Sequence, residues 1–84
     1  MYSDQAIGNN IRALRVHKGY SQDYLALKLK ISQNAYSKLE LGYVRFKLET
    51  ILTITEILEV DITNLIASNK DCINLIKDNV SLNK

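Results

Sequence analysis

The sequence predicts an all-α fold: five short helices followed by a C-terminal amphipathic helix. Three observations carry this expectation. The 84 residues include no proline and only three glycines. No segment alternates with period two over a strand's length, and apolar residues recur at i, i+3 and i+4 spacing along the chain. Helix 1 is expected over residues 5–18, with Ile7, Ile11, Leu14 and Arg15 or Lys18 on successive turns. Gly19 suits the left-handed position that ends such a helix, and Tyr20 staples the turn into helix 2.

Residues 21–41 are the most informative stretch. Two Ser-Gln pairs, Ser21-Gln22 and Ser32-Gln33, stand eleven residues apart, and each serine suits an N-cap whose hydroxyl accepts from an orphan helical N–H. The interval holds about two turns of helix and a corner. Leu25, Ala26 and Leu29 before the corner, with Ile31, Ala35, Tyr36 and Leu39 after it, are expected to share one small core. The pattern predicts a helix-turn-helix with helix 2 over 21–29 and helix 3 over 32–41, and the second helix of such a motif can enter a DNA major groove. Tyr36 falls on the core side, with its hydroxyl expected at the rim.

Gly42 closes helix 3, and residues 43–47 form a basic-aromatic loop. Helix 4, over 48–58, is expected to turn Leu48, Ile51, Leu52, Thr55 and Leu58 inward, and Asp61 to cap a short helix 5 ending at Ile66. On a helical wheel Cys72, Ile73, Leu75, Ile76, Val80 and Leu82 cover about half the circle, with Asn79 the one polar residue among them. Residues 1–68 therefore read as the helix-turn-helix domain. Residues 69–84 read as a helix that either folds onto its own core or forms a dimer face.

Charge is divided along the chain. Residues 1–47 hold eight Lys/Arg against three Asp/Glu, whereas residues 48–84 hold three against six. The half with the motif is thus basic, as a phosphate-facing surface requires. No apolar run approaches the length of a membrane span, and the first residues do not resemble a signal peptide. A single cysteine, Cys72, forms neither an internal disulfide nor a zinc site, so the expected compartment is the cytoplasm. His17 reads as a surface histidine near a helix end. No nucleophile with a base, phosphate-cradling glycine loop or paired carboxylates appears, so no enzyme, metal, cofactor or small-molecule ligand is expected.

These pieces resemble the Cro/CI-type (XRE) helix-turn-helix regulators of phages and bacteria over residues 6–66. The similarity lies in Ile7-Gly8-x-x-Ile11-Arg12-x-Leu14-Arg15, Gly19-Tyr20-Ser21-Gln22-x-x-Leu25-Ala26, Ile31-Ser32-Gln33, Ser37-Lys38-Leu39-Glu40-x-Gly42, and Leu48-Glu49-Thr50-Ile51-Leu52 through Leu58-x-Val60. The resemblance implies a compact five-helix, lambda-repressor-like domain that binds double-stranded DNA as a homodimer. It implies base contacts from Gln33, Asn34, Ser37 and Lys38, and phosphate contacts from Gln22, Tyr43, Arg45 and Lys47. Arg15 and Glu40 match a family ion pair joining helix 1 to the end of helix 3. Chemistry agrees for the base-facing set, since Gln and Asn pair with adenine N6/N7 and Lys with guanine O6/N7. Tyr24 is a further candidate for a phosphate bond.

If the last helix forms the dimer face, the apolar half of its wheel places the interface at Cys72, Ile73, Ile76, Asn79 and Val80. Three family roles suit a domain of this size: phage repressor, DNA-binding antitoxin, and controller protein of a restriction–modification system. The acidic C-terminal half looks most like controller proteins. A module that holds a protein partner through its last helix is the alternative. Lys30 and Glu59 stand where the family often has glycine, a cost of about 1 kcal/mol each if φ is positive. Phe46-Lys47 replaces the common Pro-Ser, which removes the usual cap of helix 4.

Overall fold

The computed structural model describes residues 3–66, which form five helices: α1 (Asp4–Lys18), α2 (Gln22–Leu29), α3 (Gln33–Leu41), α4 (Leu48–Leu58) and α5 (Ile62–Ile66). The expected C-terminal helix, with Cys72, Ile73, Ile76, Asn79 and Val80, lies outside the described residues. Serines start the first three helices. The Oγ atoms of Ser3, Ser21 and Ser32 accept from the N–H groups of Ala6, Tyr24 and Ala35, each at 3.0 Å. Each bond satisfies one donor that the helix itself leaves unpaired. Lys47, at the start of α4, makes no such bond. Asp61 closes the first turn of α5 through its backbone carbonyl, which accepts from Asn64 N–H at 2.9 Å; the expected side-chain cap does not form.

α1 packs on α3, α4 and α5, and α2 packs on α3 and α4. The core consists of Ile7, Ile11, Leu14, Leu25, Ala26, Tyr36, Ile51, Ile54, Leu58 and Leu65. α1 also buries Asn10, whose Nδ2 donates to the Leu65 carbonyl at 2.6 Å and ties α1 to α5. The close approach of α1 to α3 depends on Gly8. A Cβ there would stand 2.4 Å from the Glu40 carbonyl oxygen, so backbone would have to move. At Gly42 two demands coincide: φ is 77°, and a Cβ would meet the Gln5 Cα at 2.6 Å.

The structure corrects three details of core placement. Leu48 and Leu52 are exposed, and Ile54 takes the inward position with Ile51, Thr55 and Leu58. Two overlapping stripes on α4 both satisfy helical spacing, and the one that meets α1, α2 and α5 is buried. Thr55 is accommodated because its Oγ1 donates to the Leu52 carbonyl at 2.6 Å. Ile31 and Ala35 stand at the surface, although their spacing matched the shared core of α2 and α3. The Tyr36 hydroxyl does not reach the rim, since the whole side chain is buried.

Lys30 and Glu59 adopt φ of 61° and 58°, the left-handed region that penalises a Cβ. Each ends a helix by giving its N–H to carbonyls of the preceding turn. Lys30→Gly and Glu59→Gly are each expected to stabilise the domain by about 0.5–1 kcal/mol, the relief of strain being partly offset by glycine's greater unfolded freedom. Urea midpoints at neutral pH test this. A lower midpoint for either variant would mean that its side chain contributes more than the strain it carries.

Candidate nucleic-acid interface

The corner between α2 and α3 is built from backbone bonds. Lys30 N–H donates to Leu27 O at 3.1 Å and Ile31 N–H to Ala26 O at 3.0 Å, which stops α2 two residues short of the Ser32 cap. α3 then starts with Gln33, Asn34 and Ala35 exposed, and Lys38 exposed one turn later. Ser37 is half-buried. On the opposite side of α3, Tyr36 and Glu40 face inward.

A buried polar network sets the angle of α3. Arg15 from α1 donates through Nε to Glu40 Oε2 at 2.5 Å and through Nη2 to Oε1 at 3.2 Å. Its Nη1 donates to the Tyr20 carbonyl at 2.8 Å, holding the segment between α1 and α2. Tyr36 donates its hydroxyl to Glu40 Oε2, and Gln22 Nε2 donates to Oε1 at 3.0 Å. One carboxylate thus joins α1, α2 and α3. Burial alone pushes the Glu40 carboxyl up, but the bonds from Arg15, Tyr36 and Gln22, with the Arg15 charge, hold it below its ordinary value. Burial, reinforced by the bond to Glu40, pushes the Tyr36 phenol up. Arg15 is raised by its bond to Glu40 against its own desolvation. The pair is therefore charged at neutral pH, and a bidentate buried bridge of this kind fixes geometry more than it adds net stability.

Gln22 departs in part from the sequence expectation. Its side chain is half-buried and gives an amide N–H to Glu40, rather than standing wholly free for a phosphate. The reason is position: the first residue of α2 lies over the end of α3, where the carboxylate has acceptor capacity left. Tyr24 is exposed, its ring 4.7 Å from that of Tyr20, with Lys28 Nζ 5.5 Å from its centroid.

The loop after α3 is held by a bond that sequence reasoning missed. Asp4 Oδ1 accepts from Phe46 N–H at 2.9 Å, across a separation in sequence that no local pattern reveals. Phe46 packs against the core, while Tyr43, Arg45 and Lys47 on either side of it are exposed. Asn34, Lys38, Arg45 and Lys47 line one groove between α3 and this loop. Gln33, Ser37 and Tyr43 do not line it. Two cations of the loop, Arg45 and Lys47, therefore stand beside the exposed side of α3, where a phosphate backbone next to a base-reading helix would meet them.

The helix-turn-helix family model matches residues 11–65, which include α2, the corner and α3. The chain belongs to the XRE-type helix-turn-helix family. Its members are DNA-binding transcriptional regulators. Solved structures share the fold of this XRE-type domain. The hypothetical transcription factor NHTF from Neisseria is 25% identical over 86% of this chain and 83% of that chain, with a TM-score of 0.75. Two crystal structures of the clp gene regulator ClgR from Corynebacterium glutamicum are similar in fold. One is 24% identical over 74% of this chain and 80% of that chain with a TM-score of 0.70, and the other 22% identical over 94% and 84% with a TM-score of 0.75. Comparison with the curated proteins gives no match. Among the described residues, no helix is long and apolar enough to cross a membrane, and no group of three His, Cys, Asp or Glu side chains stands ready for a metal.

Proposed function

We propose that this chain is a sequence-specific transcriptional regulator that binds a two-fold-symmetric DNA operator as a homodimer. The observation that carries the reading is the exposed start of α3, with Gln33, Asn34 and Lys38 at the surface, beside the cations of the 43–47 loop. α3 enters the major groove, and Gln33, Asn34, Ser37 and Lys38 meet base edges. Tyr43, Arg45 and Lys47 bond phosphates and set the register. Gln22 contributes twice: one amide N–H holds Glu40, and the other is left for a phosphate at the positive end of α2. Residues 69–84 join the two copies, so that the half-sites lie about one helical turn, roughly 34 Å, apart.

The salt dependence of binding tests the phosphate assignments. Arg45→Ala should lower the magnitude of the slope of log K against log[salt] by about 0.9 for each phosphate left unneutralised, thus up to about 1.8 per dimer. Gln22→Ala should weaken binding without that change, because a neutral amide releases no counterion. An unchanged slope for Arg45→Ala would take the loop off the DNA. Sedimentation of the complex checks the dimer, for which two chains per duplex are expected.

A further inference from the structure

Leu48 and Leu52 on α4 are 65% and 47% exposed, and with Glu49, Thr53, Thr55 and Glu56 they line a groove of their own. The charge around this groove is of one sign. The sequence has no Lys, Arg or His between Lys47 and Lys70, yet it places Glu49, Glu56, Glu59 and Asp61 there. Among the described residues, neither the Glu49 nor the Glu56 carboxylate has an ion-pair partner. Carboxylates repel phosphate, so this face does not continue the basic surface that α3 and the 43–47 loop present. It fits an apolar occupant that carries cations.

The chain carries such an occupant. On α4, Leu52 has Glu49 three residues before it and Glu56 four residues after it, which puts both carboxylates along one edge of the apolar stripe. Beyond α5, Ile73 has Lys70 and Lys77 at the same two offsets, and Val80 has Lys77 and Lys84. We propose that residues 67–84 seat as a helix on this face of α4 in the same chain, with Ile73 and Val80 toward Leu48 and Leu52 and the lysine row along Glu49 and Glu56. The charged row lies on the same side of the apolar stripe in both segments, so the two rows meet only when the helices run antiparallel. The path of the chain agrees. α5 follows the C-terminal end of α4 after residues 59–61 and packs on it, and its five residues span only about 8 Å. A segment leaving α5 can therefore return along α4 toward Leu48, and as a helix residues 67–84 extend about 27 Å against roughly 16 Å for α4. Two leucines alone are too small a patch to hold a free second molecule, which needs about 1,000 Å², but a tethered segment is presented at an effective concentration on the order of millimolar. The seat uses one edge of the apolar half and leaves Cys72, Leu75, Asn79 and Leu82, on the other edge, for the second copy. The docking itself rests on neither DNA binding nor dimerisation.

NMR on the full chain without DNA tests the seat. In a mixture of isotope-labelled and unlabelled chains, filtered spectra separate NOEs within one chain from those between chains. Methyl NOEs from Leu52 to Ile73 or Val80 within one chain are expected. Leu52→Ser, at an exposed position, should quicken amide exchange over residues 72–82 about 10-fold while α1 to α3 keep their protection. Reversing the acidic row with Glu49→Lys and Glu56→Lys should quicken the same amides, and adding Lys70→Glu, Lys77→Glu and Lys84→Glu should restore them. NOEs found only between chains would give this face to a second copy and overturn the seat. Absence of any NOE from Leu52 to residues 70–84, or unchanged exchange in Leu52→Ser, overturns the docking altogether. Exchange that stays fast after the second reversal overturns the pairing of the two charged rows. Each of these results leaves the DNA-binding reading standing, since that reading is measured separately by the salt dependence.

Discussion

Glu40→Ala is expected to destabilise the domain by about 3–5 kcal/mol, a large part of the total stability of a chain of this size. The substitution leaves the Arg15 guanidinium, whose side chain is 10% exposed, without its counter-charge. It also takes the acceptor from the Tyr36 hydroxyl and the Gln22 amide. Each kcal/mol lowers Tm by about 4–8 °C in a domain of this length, so a fall of well over 10 °C is expected. Acid has a related effect. A carboxyl held below its ordinary value stabilises the fold above the unfolded pKa, near 4.3, and that stabilisation is lost as pH falls through the folded value. Wild type should therefore lose urea resistance below about pH 4 more steeply than Glu40→Gln, which has no such proton to gain. Matching urea midpoints for wild type and Glu40→Ala at neutral pH would mean that α3 is held by apolar packing alone.

With a duplex selected from a random pool by the full chain, Gln33→Ala and Asn34→Ala should each weaken binding by about 1–3 kcal/mol, or roughly 5- to 150-fold, with little change on scrambled DNA. Both side chains are exposed, so the fold is not expected to suffer. The contrast between the two DNAs is what identifies a base contact, because phosphate contacts weaken both alike. Titrations at one fixed salt concentration provide it. Equal losses on both duplexes would reduce the two residues to surface polar groups.

The local parts of this fold were legible in the sequence because local chemistry produces them. Ser21 and Ser32 cap their helices, Gly19 and Gly42 end theirs, and the five helices lie within a residue or so of their expected bounds. Helical spacing alone did not tell which of two overlapping stripes on α4 is buried, since Leu48–Leu52 and Ile51–Ile54–Leu58 both repeat every three to four residues. The choice is made by the elements that meet α4, and that is tertiary information. Asn10 on Leu65 and Asp4 on Phe46 were illegible for the same reason, each joining residues far apart in the chain. Gly8 was visible as part of a motif, but its reason, the Glu40 carbonyl against its Cα, appears only when α1 and α3 are placed together.

In the candidate site the residue types were legible and their allegiances were not. Gln22 stands at the start of α2 as expected, yet it is drawn to Glu40 because the carboxylate already gathered by Arg15 and Tyr36 lies within its reach. Ile31 and Ala35 obey core spacing but stand exposed in the corner and in the first turn of α3, so they line a surface groove instead of an interior.

The central claim is that the exposed face of α3 reads base sequence. Its most direct measurement is the ratio of wild-type affinities for the selected duplex and for the same bases scrambled, at physiological salt. Specific regulators show about 10³-fold or more, and a ratio of that order is expected here. A ratio near one would contradict the claim, leaving a basic surface that binds DNA by its phosphates alone.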